Sequence, residues 1–120
     1  MNVSDNFSKN EIECRCGCGQ AIIDKNLYKI LEAFRSFNGD KRMITHCVNR
    51  CPKHNRISDG VKNSKHVTGR AWDGHTHGMS IDDLHKSAQF AYDKGIISGG
   101  LGFYSWGIHI DSGKKRTWKG

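Results

Sequence analysis

Apolar positions recur along the chain with two different periods, and each change of period marks an element. Leu27, Ile30, Leu31 and Phe34 fall at i, i+3, i+4 and i+7, the spacing of one helical face. Asp24 stands where a carboxylate can cap the first free amides, and Gly39 where a glycine can end the helix. A second helix is predicted from the capping pair Ser80 and Asp83, with Ile81, Leu84, Ala88 and Ala91 on one face and Gly95 as its stop. Ser8 and Glu11 form a similar pair with Phe7 as a staple, predicting a brief helix cut short by the cysteines that follow.

Between the helices the spacing turns to strands. Arg42 to Thr45 predicts one, Asp73 falls on another, and Leu101 to Tyr104 with Trp106 to Asp111 form a hairpin after the Gly99 and Gly100 turn. Val48 to Gly60, which holds Pro52, reads as a loop. Helix, strand, loop, strand, helix and hairpin in that order predict an α+β fold, a small antiparallel sheet with helices on one side. One domain over residues 1–120 is expected, because two cores would each be too small to outweigh chain entropy.

Composition sharpens this. A 36% hydrophobic fraction, 14 glycines and a mean hydropathy of -0.66 leave a modest core, to which a bound metal would add stability. Nineteen Lys and Arg against 12 Asp and Glu give a charge of +7, which favours anionic partners. The basic residues are scattered apart from Lys114, Lys115 and Arg116, and no aromatic-interleaved basic stripe occurs, so nucleic acid is a weaker partner than an anionic wall polymer. With neither a signal-peptide pattern nor a membrane-spanning apolar run, the chain is expected to be cytoplasmic as synthesised. Five cysteines in that setting point to reduced or metal-bound thiols rather than a disulfide framework.

Candidate chemistry lies in Ser64, His66, Gly69, Ala71 and Asp73, with His109 and Asp111 far downstream. Zinc favours imidazole nitrogen and carboxylate oxygen, and a catalytic site uses three protein ligands with one corner left for water. Taken singly, each His or Asp is more often a hydrogen-bonded structural residue; His66, Asp73 and His109 together make a ligand count. A rival set is Asp73, His75 and His77, which would share one side of an extended strand. Cys14, Cys16 and Cys18, joined by Cys51 or Cys47, could hold a second, structural zinc that ties the Cys-rich segment 14–18 to the loop 47–55, or could simply pack as small apolar residues. His46 and His85 fit no pattern, and His85 is expected on a helix surface.

The pattern S-x-H-x-x-G-x-A-x-D with a distant H-x-D resembles the zinc D-alanyl-D-alanine carboxypeptidase and L-alanyl-D-glutamate peptidase family, whose fold is shared with the hedgehog signalling domain. The likeness covers most of the chain. Arg50, Pro52, His54 and Asn55 match the family's R-x-P-x-H-N segment, Phe7 to Cys18 its first segment, and Gly100 to Tyr104 through Arg116 and Trp118 its closing hairpin. The resemblance implies that His66, Asp73 and His109 bind zinc, that Arg50 recognises a substrate carboxylate, and that the substrates are peptidoglycan stem peptides cut by a carboxypeptidase or an endolysin-like endopeptidase. It further suggests a phage or prophage enzyme, released to the periplasm or cell wall during lysis. Several relatives carry an acid three residues before the last ligand, where this chain has Trp106. Asp111 is then the expected proton acceptor, with support of His109 as its alternative role. Two other functions fit the residues: a zinc-holding module that binds wall peptides without cutting them, and a Cys-rich zinc domain that binds nucleic acid.

Overall fold

A computed structural model of the chain describes residues 2–4, 7–8, 24–48 and 70–120, and both long helices predicted from spacing form in it. Helix α1 spans Lys25–Phe37. Asp24 Oδ2 accepts the amides of Asn26 at 3.1 Å and Leu27 at 3.2 Å, satisfying donors that have no partner inside the helix. Leu27, Ile30, Leu31 and Phe34 are its buried residues, and Gly39 follows the Asn38 cap with a φ of 71°. Helix α2 spans Ile81–Asp93; Ser80 Oγ accepts the Asp83 amide at 3.1 Å, and Leu84, Ala88 and Ala91 face inward. Replacing Asp24 by Ala should cost about 1 kcal/mol through loss of the cap. A urea midpoint identical to the wild type would show that the cap contributes nothing.

Strands β1 (Asn2–Ser4) and β2 (Phe7–Ser8) form a small antiparallel pair. Ser8 therefore lies in a strand, and the brief helix expected beyond it falls outside the described residues, as do the Cys-rich segment and nearly all of the loop. The main sheet contains β3 (Met43–Cys47), β4 (Ala71–Thr76), β5 (Gly100–Tyr104), β6 (Gly107–Asp111) and β7 (Arg116–Lys119), in the order β3-β4-β6-β5-β7. All its pairs are antiparallel except β5 with β7. The expected small antiparallel sheet therefore forms, with one parallel pair added at its edge. Since β6 reverses the chain and β7 reverses it again to lie on the far side of β5, β7 must run with β5.

Alternation divides the sheet into two faces. Trp72, Leu101, Ile108 and Ile110 join the inward residues of both helices in one core. Trp72 is fully buried and its Nε1 donates to Thr45 Oγ1 at 2.8 Å, so its polar edge is satisfied inside the core. Hiding an indole of this size contributes roughly 4–6 kcal/mol of transfer free energy. The second face carries Asp73, His75, His109, Asp111, Arg116 and Trp118. His85 is more than a helix-surface residue: its Nε2 lies 2.9 Å from the Tyr104 carbonyl and 3.0 Å from that of Gly107, tying α2 to the β5–β6 turn. Among the described residues no helix is long and apolar enough to cross a membrane.

Candidate active site

Strand pairing brings together residues that are remote in sequence. Asp73 on β4 is the register partner of His109 on β6, His109 that of Gly102 on β5, and Gly102 that of Trp118 on β7. A row of side chains therefore crosses four strands on the face away from the helices. The neighbouring row is Ala71, Asp111, Gly100 and Arg116. His109 and Asp111 occupy adjacent rows on one side of β6, as the period of two requires.

His109 stands between two carboxylates. Its Nδ1 is 2.7 Å from Asp73 Oδ1, and its Nε2 is 3.0 Å from Asp111 Oδ2. The His109 and Asp73 side chains keep 14% and 17% of their exposure, whereas Asp111 keeps none. Asp111 Oδ1 accepts the amides of Gly100 at 3.1 Å and Gly113 at 2.9 Å, together with Arg116 Nη1 at 3.3 Å. Its Oδ2 accepts Arg116 Nη2 at 3.0 Å. Burial alone would raise its pKa, but hydrogen bonds from His109, Arg116 and the Gly113 amide outweigh that and hold the carboxyl far below the usual carboxylate range.

The donor set suits a cation. A neutral imidazole carries one N–H, so it can donate to only one of the two carboxylates. Whichever nitrogen carries it, the other turns a lone pair toward a carboxylate oxygen, a contact that becomes favourable only with added positive charge, a second ring proton or a bound cation. Imidazole nitrogen and carboxylate oxygen side by side are the ligand types zinc selects. His66, the third expected ligand, lies outside the described residues, as do Arg50, Cys14, Cys16, Cys18 and Cys51. Cys47 ends β3 opposite Asp73 in the register.

The rival ligand set is not assembled. Asp73, His75 and His77 are all described, yet no group of three potential metal donors occurs among the described residues. His75 instead places Nδ1 2.8 Å from His46 Nε2, and His77 lies in the turn after β4 with its amide on the Arg42 carbonyl.

Other residues near the site gained no role from the spacing of the sequence. His46 joins His75, with its ring centroid 5.4 Å from that of Trp106, which in turn stacks on Tyr104 at 4.8 Å. Arg116 and Trp118 entered only through the family pattern, although their alternate spacing on a short strand would have placed them on one side. Trp118 donates from Nε1 to the Tyr104 hydroxyl at 2.8 Å, and its ring centroid lies 5.1 Å from that of His109.

The chain is 40% identical over 68 residues to the probable peptidoglycan L,D-endopeptidase MepK of Haemophilus influenzae, a match covering 54% of this chain and 34% of the relative. The chain thus spans about a third of the length of that protein. The Peptidase M15 profile matches residues 5–111, a span that includes β4, both long helices and the hairpin bearing His109 and Asp111. On that match, and with an α+β architecture compatible with it, the chain belongs to the Peptidase M15 family.

Proposed function

We propose that the chain is a zinc-dependent peptidase acting on the peptide part of peptidoglycan, with His66, Asp73 and His109 as metal ligands and Arg50 as the residue that receives a substrate carboxylate. The observation that carries this reading is the meeting of Asp73 and His109. They are 36 residues apart in sequence and 2.7 Å apart in space, and the second imidazole nitrogen faces a buried carboxylate. The name of the Haemophilus influenzae relative supports peptidoglycan as the substrate class. A zinc ion held there supplies Lewis-acid polarisation of a substrate carbonyl and activation of water.

The remaining steps rest on the chain's own residues. Arg50 would pair bidentately with a carboxylate of the peptide and set which bond lies near the metal ligands. Asp111, for which the resemblance implied the role of proton acceptor with support of His109 as the alternative, is better suited to the second role. Both of its oxygens are occupied by donors, it has no exposure, and its depressed pKa suits a permanent anion more than a base that must gain and release a proton near neutrality. A structural zinc on Cys14, Cys16, Cys18 and Cys51 belongs to the same reading.

Incubating the protein with purified peptidoglycan and with short peptides ending in D-Ala, with and without a chelator, tests the proposal. Chelator-sensitive release of peptide fragments is expected, and their masses identify the bond cut. No product from either substrate, with zinc bound, would overturn the peptidase reading. That outcome would favour the second reading, a metal-holding module that binds wall peptides without hydrolysis. Trp106 favours this alternative, because by the resemblance it occupies the position where several family members carry an acid, and its ring is stacked on Tyr104 in the β5–β6 turn.

A further inference from the structure

The chain has three tryptophans, and their polar edges are treated differently. The indole N–H of Trp72 donates to Thr45 and that of Trp118 to the Tyr104 hydroxyl, whereas that of Trp106 makes no hydrogen bond among the described residues. Trp106 also keeps 39% of its exposure, although burying an indole is strongly favourable. We propose that Trp106, stacked on Tyr104, is a platform for a sugar ring of the peptidoglycan glycan strand, an inference that rests on the peptidoglycan reading given above.

The platform is held in place without a ligand. Ser105 and Trp106 make the turn between β5 and β6, and the residues that flank it, Tyr104 and Gly107, are register partners. His85 Nε2 meets the carbonyls of both, at 2.9 and 3.0 Å, so helix α2 clamps the two ends of the turn at once. The Tyr104 and Trp106 rings lie 4.8 Å apart with 16° between their planes, and the Tyr104 hydroxyl is fixed by the Trp118 indole at 2.8 Å. A ring held still in this way leaves less freedom for a ligand to remove on binding.

The chemistry of the surface selects a sugar over the peptide. The stem peptide of peptidoglycan is built of alanine, glutamate and a diamino acid, none of which has a broad flat apolar surface. Each aminosugar of the glycan strand has one, a ring face of C–H bonds bordered by hydroxyl and amide groups. Such a face lies flat on the electron-rich face of an indole, and its polar border can accept the unpaired indole N–H. The imidazole of His46, its centroid 5.4 Å from that of Trp106, gives the platform a second polar edge.

Position agrees with this occupant. Tyr104 stands on the face of the candidate ligands, because the Trp118 ring that donates to it lies 5.1 Å from that of His109. Along β6, Gly107 opposite Tyr104 precedes His109 by two residues, about 7 Å. In peptidoglycan a lactyl group and one amino acid separate the sugar from the bond between the first two amino acids of the stem, a similar length at about 3.3–3.6 Å for each unit. A stem peptide still joined to its sugar therefore spans the platform and the candidate ligands together.

The test compares wild type, Trp106→Ala and Trp106→Phe as whole chains by two readouts. The first needs neither metal nor cleavage: a soluble N-acetylglucosamine tetrasaccharide, which has the rings and no peptide, is titrated into isotope-labelled protein. The indole N–H signal of Trp106, assigned by its absence from Trp106→Phe, should shift saturably while that of Trp72 stays in place. Affinity followed on the backbone amides of the turn should fall about 3- to 10-fold in Trp106→Ala, with Trp106→Phe, which keeps a ring but no N–H, between the two. The second readout is the ratio of kcat/KM for a stem peptide joined to its disaccharide over that for the same peptide without sugar. This ratio should exceed one in wild type and fall by a similar factor in Trp106→Ala. Absence of a saturable shift, or an unchanged ratio in Trp106→Ala, would overturn the inference. So would a Trp106 signal that moves with the sugar-free peptide and not with the tetrasaccharide, which would assign the ring to the peptide. Should Trp106→Ala fail to fold, the wild-type titration and Trp106→Phe decide it. If no peptide is cut, the peptidase reading falls and the titration still judges the platform; cleavage without sugar binding sinks the platform alone.

Discussion

His109→Ala is expected to lose both metal and turnover, with kcat/KM on wall peptides lower by on the order of a thousandfold or more, about 4 kcal/mol of transition-state stabilisation. The reason is positional. His109 is the one imidazole among the described residues that meets Asp73, and it does so across a paired strand rather than on a loop. His75→Ala makes the contrast. It lies on the same side of β4 but contacts His46, so it should leave zinc content near the wild-type value. Metal analysis of the two purified variants checks this directly. Zinc retained by His109→Ala and lost from His75→Ala would reverse the assignment and restore the rival ligand set.

Gly107→Ala should carry the largest cost to the fold. The residue has a φ of 155°, and a Cβ built there would lie 2.1 Å from the Gly74 carbonyl oxygen, so both backbone strain and a steric clash oppose it. Strain of this kind costs about 1–3 kcal/mol, and forcing extra volume into a packed contact about 1–3 more. A total loss of roughly 2–6 kcal/mol follows, read as a lower denaturant midpoint. Gly74 neighbours Asp73, and Gly107 opens the strand that carries His109, so relief of the clash would part the two ligand candidates as well. Gly39→Ala is the control. Its φ is 71°, but a Cβ added there would meet no atom within 4 Å, so only the conformational part, about 1 kcal/mol, should appear. Equal losses in the two variants would mean that the approach to Gly74 does not matter.

The helices and the two convergent residues were legible because their signals are local or strongly patterned. Asp24 and Ser80 are caps that act within one turn, and the apolar residues of α1 and α2 follow a single spacing that the core then uses. Asp73 and His109 were found through a motif, and the register that joins them could not be read from either strand alone. The parallel edge was missed for a related reason. Strand β7 has only four residues, Arg116–Lys119, of which only Trp118 is a large apolar one, so nothing in their periodicity says which neighbour they join. The contacts of His85 were not legible because its partners are two backbone carbonyls, and carbonyls leave no trace in residue identity. The donors to Asp111 were not legible either, since they include two backbone amides and an arginine that a one-dimensional pattern does not bring near.

Each central strand alternates between neighbours that hold the protein together and neighbours that stand on the face bearing the candidate site. Trp72 and Asp73 are adjacent in the chain, as are Ile108 and His109, yet they answer to separate physical demands. Changes in one set should therefore combine almost additively with changes in the other where no contact is shared. The surface around Asp73 and His109 can accordingly be altered while the hidden layer is left as it stands.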